Sequence, residues 1–164
     1  MPDLRGNPWS FTTTDVSTSI AITSITRNGA RSATVNAVAH GHAANDYISL
    51  QNTSVAAWAG GYRIESVIDA NNFLVRIEDW RSSLANAGAQ GSVLSLLWPG
   101  IIDVTQMLWD GPTAADVLSV TDAAGRTVWN PTAVAGGSLT YMKAFPIVGL
   151  VLNAMPHGIL QVSI

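Results

Sequence analysis

Hydrophobic and polar residues alternate with a period of two along most of the chain, in short runs separated by Gly, Pro, Asn and Asp. This alternation is typical of half-buried β-strands. The run SIAITSITR ends at Asn28-Gly29 and SATVNAVAH follows, so this dipeptide predicts a hairpin turn. The residues predicted to face inward from the next two strands are Val35, Ala37, Ala39, Ile48 and Leu50.

The runs GYRIESVI and FLVRIED predict a second hairpin across the turn DANN, in which Asn71 or Asn72 is expected to adopt the left-handed conformation. If Ile68 pairs with Phe73, the same register places the apolar residues on one face and opposite charges beside each other on the other face. The predicted inner face carries Ile64, Ile68, Phe73, Val75 and Ile77. The predicted outer face carries two opposite-charge pairs, Glu65 with Arg76 and Arg63 with Glu78.

Turn residues also divide the C-terminal half of the chain. DVLSV and TVW flank TDAAGR, which predicts a bulged hairpin with a left-handed Gly125 and with Val120 beside Val128. GLVLNA and ILQVSI flank MPHG, which predicts a hairpin turn through Pro156 and Gly158. Pro99-Gly100 predicts the boundary between two lobes.

No run has the period of a long amphipathic helix, so the predicted fold class is all-β. We expect two small lobes of antiparallel sheet, barrel-like or sandwich-like, with an extended N-terminal arm. The predicted divisions are an arm at 1–19, an N-terminal β module at 20–98 and a C-terminal β lobe at 99–164. The arm is expected either to lie across a neighbouring subunit, anchored by Trp9 and Phe11, or to be a frayed end.

The composition indicates a protein whose surface is covered by other chains. Charged residues make up 12% of the 164 residues, against about 25% in typical domains, and small proteins with few charges tend to associate. The net charge is −3 and there is no basic run, so we expect no nucleic-acid partner. Without cysteine there are no disulfides or thiolate metal sites.

Neither end of the sequence predicts a targeting or membrane segment. The N-terminus carries an early acid and two prolines, unlike a signal peptide. Residues 144–164 are uncharged and long enough to span a bilayer. Their prolines, glycines and Asn153 favour a hairpin, so no membrane contact is predicted.

The stretch HGHAAND contains His40 and His42 and is the first candidate for chemistry. A zinc site needs three or four ligands, and no second ligand cluster is visible, since His157 lies far along the chain. We therefore interpret the stretch as a strand connection in which Gly41 takes unusual backbone angles and His40 or Asp46 binds loop amides.

Other catalytic patterns are missing from the sequence. No Gly-x-Ser-x-Gly elbow occurs, and the only glutamates, Glu65 and Glu78, are predicted to pair with arginines. The aspartates do not follow a calcium-loop pattern. We predict no catalytic, cofactor-binding or metal-binding residues. The alternative from the enzyme class is a small hydrolase that uses His40, His42 or His157.

Six tryptophans are many for a chain of this length. Such rings serve as core, as interface anchors or as platforms for sugars. The residues predicted to lie in a subunit interface are Trp9, Phe11, Trp58 and Trp109.

The segments ATVNAVAHGHAANDYISLQNTS and GGYRIESVIDANNFLV resemble a small β module of virion proteins from tailed bacteriophages. The matching residues are His40, Gly41, Asp46, Ile48, Tyr62, Ile64, Val67, Asp69, Asn71 and Phe73. The segment from DVLSV to the C-terminus resembles a second phage structural pattern, with a DxxG hairpin followed by a terminal Gly-containing hairpin. Asn45 replaces a glycine of the first module, and GGY replaces its YNG triplet.

The resemblance implies a non-enzymatic structural virion protein without cofactors. Within that class we expect a capsid decoration or cement protein, made in the host cytoplasm and located on the capsid surface. Its expected partners are itself, as a homotrimer, and the major capsid protein. The alternatives are a tail or head–tail connector component and a carbohydrate-binding β module.

Overall fold

The fold is built from β-strands, as the alternation predicts. The computed structural model describes residues 8–29, 31–77, 84–134 and 137–164, and for residues 143–145 the backbone alone. Within these ranges the strands are β1 (Trp9–Phe11), β2 (Ile20–Ala21), β3 (Ser24–Arg27), β4 (Ser32–Asn36), β5 (Tyr47–Gln51), β6 (Gly60–Asp69), β7 (Asn72–Arg76), β8 (Ser92–Ser95), β9 (Trp98–Asp110), β10 (Ser119–Thr121), β11 (Thr127–Trp129), β12 (Leu139–Ala154) and β13 (Ile159–Ser163). Two short 3-10 helices, Thr13–Asp15 and Ala56–Trp58, are the helical elements of the described residues.

The strands form two antiparallel sheets. The terminal sheet has the order β1-β13-β9-β12-β10-β11, and the central sheet has the order β2-β8-β5-β6-β7-β4-β3. Strands β2 and β3 are the two edge strands of the central sheet, and only residues 22 and 23 separate them along the chain. The two edges of the sheet therefore lie close together. This sheet therefore curls into a barrel-like form around a core that includes Trp58, Ile64 and Phe73.

The segment predicted as an arm belongs to this chain's own sheet. Trp9 and Phe11 lie in β1 and pair with Val162 and Leu160 of β13, and both side chains are buried. The extended-arm prediction is therefore corrected for residues 9–11. These residues form a strand because their alternating apolar side chains complete the core of the terminal sheet. The central sheet is consequently an insertion between the first and the later strands of the terminal sheet.

The Asn28-Gly29 hairpin is confirmed. Strand β3 pairs with β4, and Gly29 has a φ of 128°. The predicted inward residues Val35, Ala37, Ile48 and Leu50 are all buried. Ala39 is the exception, because the chain turns there with a φ of 53° and its side chain is exposed.

The hairpin of β6 and β7 forms, but in a different register from the predicted one. Phe73 pairs with Val67, and the ladder contains two bulges. The extra residues are Glu65 and Ile68, so Ile68 is 56% exposed and no ion pair joins Glu65 to Arg76. Glu78, the predicted partner of Arg63, lies outside the described residues.

The turn of this hairpin is held by a carboxylate instead of a left-handed asparagine. Asn71 and Asn72 both keep negative φ. The Asp69 carboxylate accepts hydrogen bonds from the Asn71 backbone N–H at 2.7 Å and from the Asn72 side-chain amide at 3.0 Å. These hydrogen bonds lower the pKa of Asp69, since they favour its charged form.

The C-terminal half contains one confirmed turn and three corrections. Gly125 is left-handed, with a φ of 82°, but Val120 pairs with Trp129 and not with Val128. Strands β12 and β13 both pair with β9 and not with each other, so MPHG is a crossover and not a hairpin turn. Pro99-Gly100 lies inside β9, while the chain passes from one sheet to the other between Ser95 and Trp98.

A buried polar seam joins the two sheets. Gln51 and Ser49 on β5 of the central sheet face β10 and the turn after it. The Ser49 hydroxyl donates to the Ala123 carbonyl at 2.6 Å. The Gln51 amide donates to the Ser49 hydroxyl at 3.0 Å, the Thr121 hydroxyl at 3.1 Å and the Asp122 carbonyl at 3.4 Å. Because all these groups are buried, losing a partner would leave a desolvated polar atom.

The turn after β10 is shaped to receive Gln51. The Asp122 carboxylate accepts hydrogen bonds from the Ala124 and Arg126 backbone N–H groups, each at 2.9 Å, and from Arg126 Nε at 2.6 Å. A Cβ atom at Gly125 would lie 3.2 Å from the Gln51 side chain. The left-handed glycine therefore closes the turn and leaves room for the amide.

Small apolar contacts complete the joint between the sheets. Leu94 and Leu96 pack with Ala123 and Val151 in a buried cluster that spans both sheets. A Cβ atom at Gly149 would lie only 2.6 Å from the Cβ of Ala123, and Gly149 has a φ of 74°. The glycine therefore permits the close approach of β12 to the turn after β10.

Replacing Phe11 by alanine tests whether β1 is part of the fold. Because Phe11 is fully buried, we expect Phe11→Ala to lower the free energy of unfolding in urea by about 3–5 kcal/mol. The control, Ser10→Ala, changes an exposed residue of the same strand and should have little effect. A loss below about 1 kcal/mol for Phe11→Ala would show that β1 does not contribute to the isolated fold.

Candidate functional site

The loop between β4 and β5 contains the HGHAAND stretch, and His40 organises it. The His40 Nε2–H group donates to the Asp69 carbonyl at 3.0 Å, and Nδ1 accepts from the His42 backbone N–H at 3.0 Å. Both ring nitrogens of a neutral imidazole are thus used. Gly41 has a φ of 65°, and the Asp46 carboxylate accepts from the Ala43 N–H at 2.8 Å. The predicted strand connection, with His40 and Asp46 binding loop amides, is confirmed.

His42 is buried without a strong partner. Its side chain is 9% exposed, and its Nδ1 lies 3.8 Å from the Asp46 carboxylate, which is too long for a hydrogen bond. Its Nε2 is buried and has no hydrogen-bond partner. Burial lowers the pKa of His42, the Asp46 charge opposes this effect, and His40 adds to it. The imidazole lies beside the His40 and Phe73 rings, with ring centroids 5.9 Å and 6.2 Å away.

The histidine cleft is an open depression of about 580 Å³ between the two sheets. Its walls are residues 14–18 after β1, residues 40–42 and 45–47 of the loop before β5, and residues 95–97 between β8 and β9. Two of the polar side chains in these walls hold the backbone in place. The Asp15 carboxylate accepts from the Thr12 N–H at 2.8 Å, and the Ser17 hydroxyl donates to the Ser95 carbonyl at 2.7 Å.

The structure does not bring the three histidines together. His157 lies outside the cleft walls, and its Nδ1 is 2.9 Å from the Asp116 carboxylate. A serine triad would need a hydroxyl hydrogen bonded to the other imidazole nitrogen. No such bond reaches His157 Nε2 from a described serine or threonine. Across residues 8–29, 31–77, 84–134 and 137–164, no cluster of three His, Asp or Glu side chains could hold a metal ion.

The arginine pocket is a second depression, of about 250 Å³, beside the cleft. Its lining residues are Tyr47, Gly61, Tyr62, Arg63, Arg76, Leu96 and Pro99. Tyr47 pairs with Arg63 across β5 and β6. One step beyond the Ile64–Val75 pair, antiparallel geometry places Arg63 opposite Arg76. This register therefore places Arg63, and not the predicted Glu65, opposite Arg76.

Arg63 is held in place by a hydrogen bond, whereas Arg76 has no polar partner among the described residues. Arg63 Nη2 donates to the Asn45 side-chain carbonyl at 2.5 Å. Asn45 itself is left-handed, with a φ of 75°, and its backbone N–H donates to the Ile64 carbonyl at 2.9 Å. Both arginines are exposed, and none of the lining residues that the structure describes is acidic. Sequence reasoning missed this pocket, because the pocket depends on the bulge at Glu65, which regular alternation does not reveal.

The four predicted interface residues lie inside the chain's own cores. Trp9, Phe11 and Trp109 fill the core of the terminal sheet, and Trp58 fills that of the central sheet. The indole N–H groups of Trp58 and Trp109 donate to the Ala85 and His157 carbonyls, each at 2.8 Å. The prediction that these residues anchor a partner is corrected, since their burial leaves no ring face to offer to another chain.

The described tryptophans do not form a flat platform either. Trp129 is also buried, and the half-buried Trp98 contacts Trp9 with ring centroids 5.0 Å apart and ring planes tilted by 35°. Trp80 lies outside the described residues.

Comparison of the chain with protein-family models, curated proteins and solved structures yields no match. The phage-module resemblance therefore remains a prediction. In the part of the chain that the structure describes, no helix is both long and apolar enough to cross a membrane.

Acidification tests the buried state of His42. The pKa of His42 in the folded chain lies below the 6.5 of a free histidine, so the unfolded chain binds this proton first as the pH falls. The free energy of unfolding should therefore fall as the pH decreases below about 6.5, by at most about 1.4 kcal/mol per pH unit for one proton. We expect His42→Leu to lose less stability than the wild type between about pH 7.5 and pH 5 in urea titrations. Equal losses would contradict the buried neutral imidazole.

Reversing one charge tests the arginine pair. Arg76→Glu should raise the free energy of unfolding by about 0.2–1 kcal/mol, because it replaces repulsion from Arg63 by attraction. The control, Arg27→Glu, changes an exposed arginine on β3 that does not line the pocket. Chemical denaturation of both variants gives the comparison, and a destabilised Arg76→Glu would show that the two side chains do not face each other.

Proposed function

We propose that this chain is a non-enzymatic structural protein of a tailed-phage virion, and within that class a capsid decoration protein that binds the major capsid protein. The proposal takes its class from the resemblance of the two sequence segments. Its physical support is an exposed apolar strip on the β9–β12 ribbon, which gives a surface for association.

The apolar strip consists of Ile101, Met142, Pro146 and Val148. Ile101 and Val148 are directly paired across the ribbon and are 68% and 50% exposed. Pro146 lies two residues before Val148 and is also exposed, and Met142 is 76% exposed further along β12. The exposed Asp103 pairs with Pro146 and lies among these apolar side chains. Exposed apolar side chains grouped on one ribbon are typical of a surface that contacts another molecule.

The backbone of the same ribbon is available for pairing. Strand β13 pairs with β9 only from Gln106 onward, and β10 pairs with β12 only from Val151 onward. Between these points, no described strand pairs with the outer edge of β9 or of β12, and among the described residues the one backbone contact there is the Ala123 N–H group, which donates to the Val148 carbonyl at 3.0 Å. Unpaired edges are templates for another chain, and proteins commonly cover them.

A structural role fits these features better than a carbohydrate platform. A platform needs exposed aromatic rings, and the described tryptophans are buried, except Trp98, which is half-buried against Trp9. A shell instead repeats one contact many times, so that modest contacts add up through avidity. A tail or head–tail connector component could use the same strip, and the binding experiment separates these locations.

Binding to purified virion parts tests the proposal. The chain is mixed with capsid shells assembled from the major capsid protein of the same genome, with tail tubes in a parallel arm, and sedimented. We expect it to sediment with the shells, and light scattering of the chain alone should give the mass of a homotrimer. Sedimentation with tail tubes but not with shells would identify the protein as a tail component. A genome without a capsid gene, or no binding to either part, would overturn the proposal.

A pair of matched substitutions tests the strip itself. Ile101→Glu should weaken sedimentation with shells on the order of tenfold or more, because it buries a charge in the contact. The control is Val134→Glu, since Val134 is 89% exposed but lies outside the ribbon. Both variants should unfold at the wild-type urea concentration. Equal binding by the two variants would exclude the strip as the contact.

A further inference from the structure

Two features of the arginine pocket favour a bound anion: two arginines lie close together, and no described lining residue neutralises them. Extending the ladder one step beyond the Ile64–Val75 pair places Arg63 and Arg76 opposite each other on β6 and β7, and both line the pocket, so their like charges repel. Among the described residues that line the pocket, none is acidic and could offset them. The net charge of the protein is −3, so this local concentration of positive charge runs against its overall balance.

We propose that the arginine pocket binds the oxyanion of a small ligand, of about the size of one acidic sugar. This inference rests on the geometry of the pocket and is independent of the proposed virion role. A guanidinium group offers several N–H donors in a planar fork that matches a carboxylate or a phosphate. An anion between the two groups turns their repulsion into two sets of charge-assisted hydrogen bonds.

The contacts around Arg63 prepare the pocket for binding. The hydrogen bond to Asn45 uses Nη2 and fixes the side chain, while the remaining N–H groups stay available to a ligand. Asn45 is held in turn by its own backbone hydrogen bond to Ile64. A donor that is already in position loses little freedom on binding.

The remaining walls set the size and the character of the ligand. The volume of about 250 Å³ lies just below the usual range for drug-sized ligands, so it suits a single small ring. Tyr47 is 39% exposed and adds an aromatic ring and a hydroxyl beside Arg63. Leu96 and Pro99 add an apolar wall. Aromatic and apolar walls with a charged end suit a sugar ring that carries a carboxylate, and a free phosphate would use the charged end alone.

Nuclear magnetic resonance titration of the whole chain tests the inference. The probes are sodium D-glucuronate, neutral D-glucose and inorganic phosphate, at constant ionic strength and up to about 50 mM, where a site with millimolar Kd saturates. We expect glucuronate to shift the amide signals of Tyr47, Arg63 and Arg76 along a saturating curve, and glucose not to do so. Binding of phosphate as well would show that the oxyanion alone is sufficient, and binding of phosphate without glucuronate would assign the site to phosphate.

Substitutions then locate the site. Arg76→Gln and Arg63→Gln should each raise the Kd on the order of tenfold, since each removes charged hydrogen bonds. Arg27→Gln removes the same charge from β3 outside the pocket and should leave the Kd unchanged. The inference is overturned if neither anion gives a saturating shift, if glucose binds as well as glucuronate, or if Arg27→Gln weakens binding as much as Arg76→Gln.

Discussion

The polar seam at Gln51 is the interaction on which the rest of the structure depends. One buried amide on the central sheet donates hydrogen bonds to Ser49 on its own strand and to Thr121 and the turn after β10 on the terminal sheet. Buried polar groups demand partners of defined geometry. The seam therefore fixes one orientation of the two sheets. The apolar contacts around Ala123 and Val151 bury further surface between the sheets but do not select an orientation.

Both depressions exist because the two sheets are held together. The histidine cleft needs residues 14–18 on one side and the loop before β5 on the other. The arginine pocket needs Arg63 and Arg76 from the central sheet and Pro99 from the terminal sheet. Tyr47 and Leu96 line both depressions, so they form one continuous groove along the joint. The apolar strip lies on the long ribbon of the terminal sheet, where Ile101 is two residues beyond Pro99 of the arginine pocket on β9.

Local features of this fold could be predicted from the sequence, and features that depend on distant pairing could not. Asn28-Gly29, Gly125 and the role of His40 follow from the chemistry of a few adjacent residues. The pairing of Trp9 with Val162 joins residues more than 150 positions apart, so no local sequence pattern predicts it. Regular alternation does not reveal the bulge at Glu65. That single extra residue replaced a predicted salt bridge by an arginine pair, and so produced the pocket.

Hydrogen exchange at increasing, non-denaturing urea concentrations tests most directly whether the seam makes one cooperative unit of the two sheets. The account predicts that the slowest amides of the central sheet, such as Ile64, and of the terminal sheet, such as Leu152, exchange with the same opening free energy and the same urea dependence. A separate, lower opening free energy for either sheet would contradict it, because the sheets would then unfold independently and the groove between them would have no fixed shape.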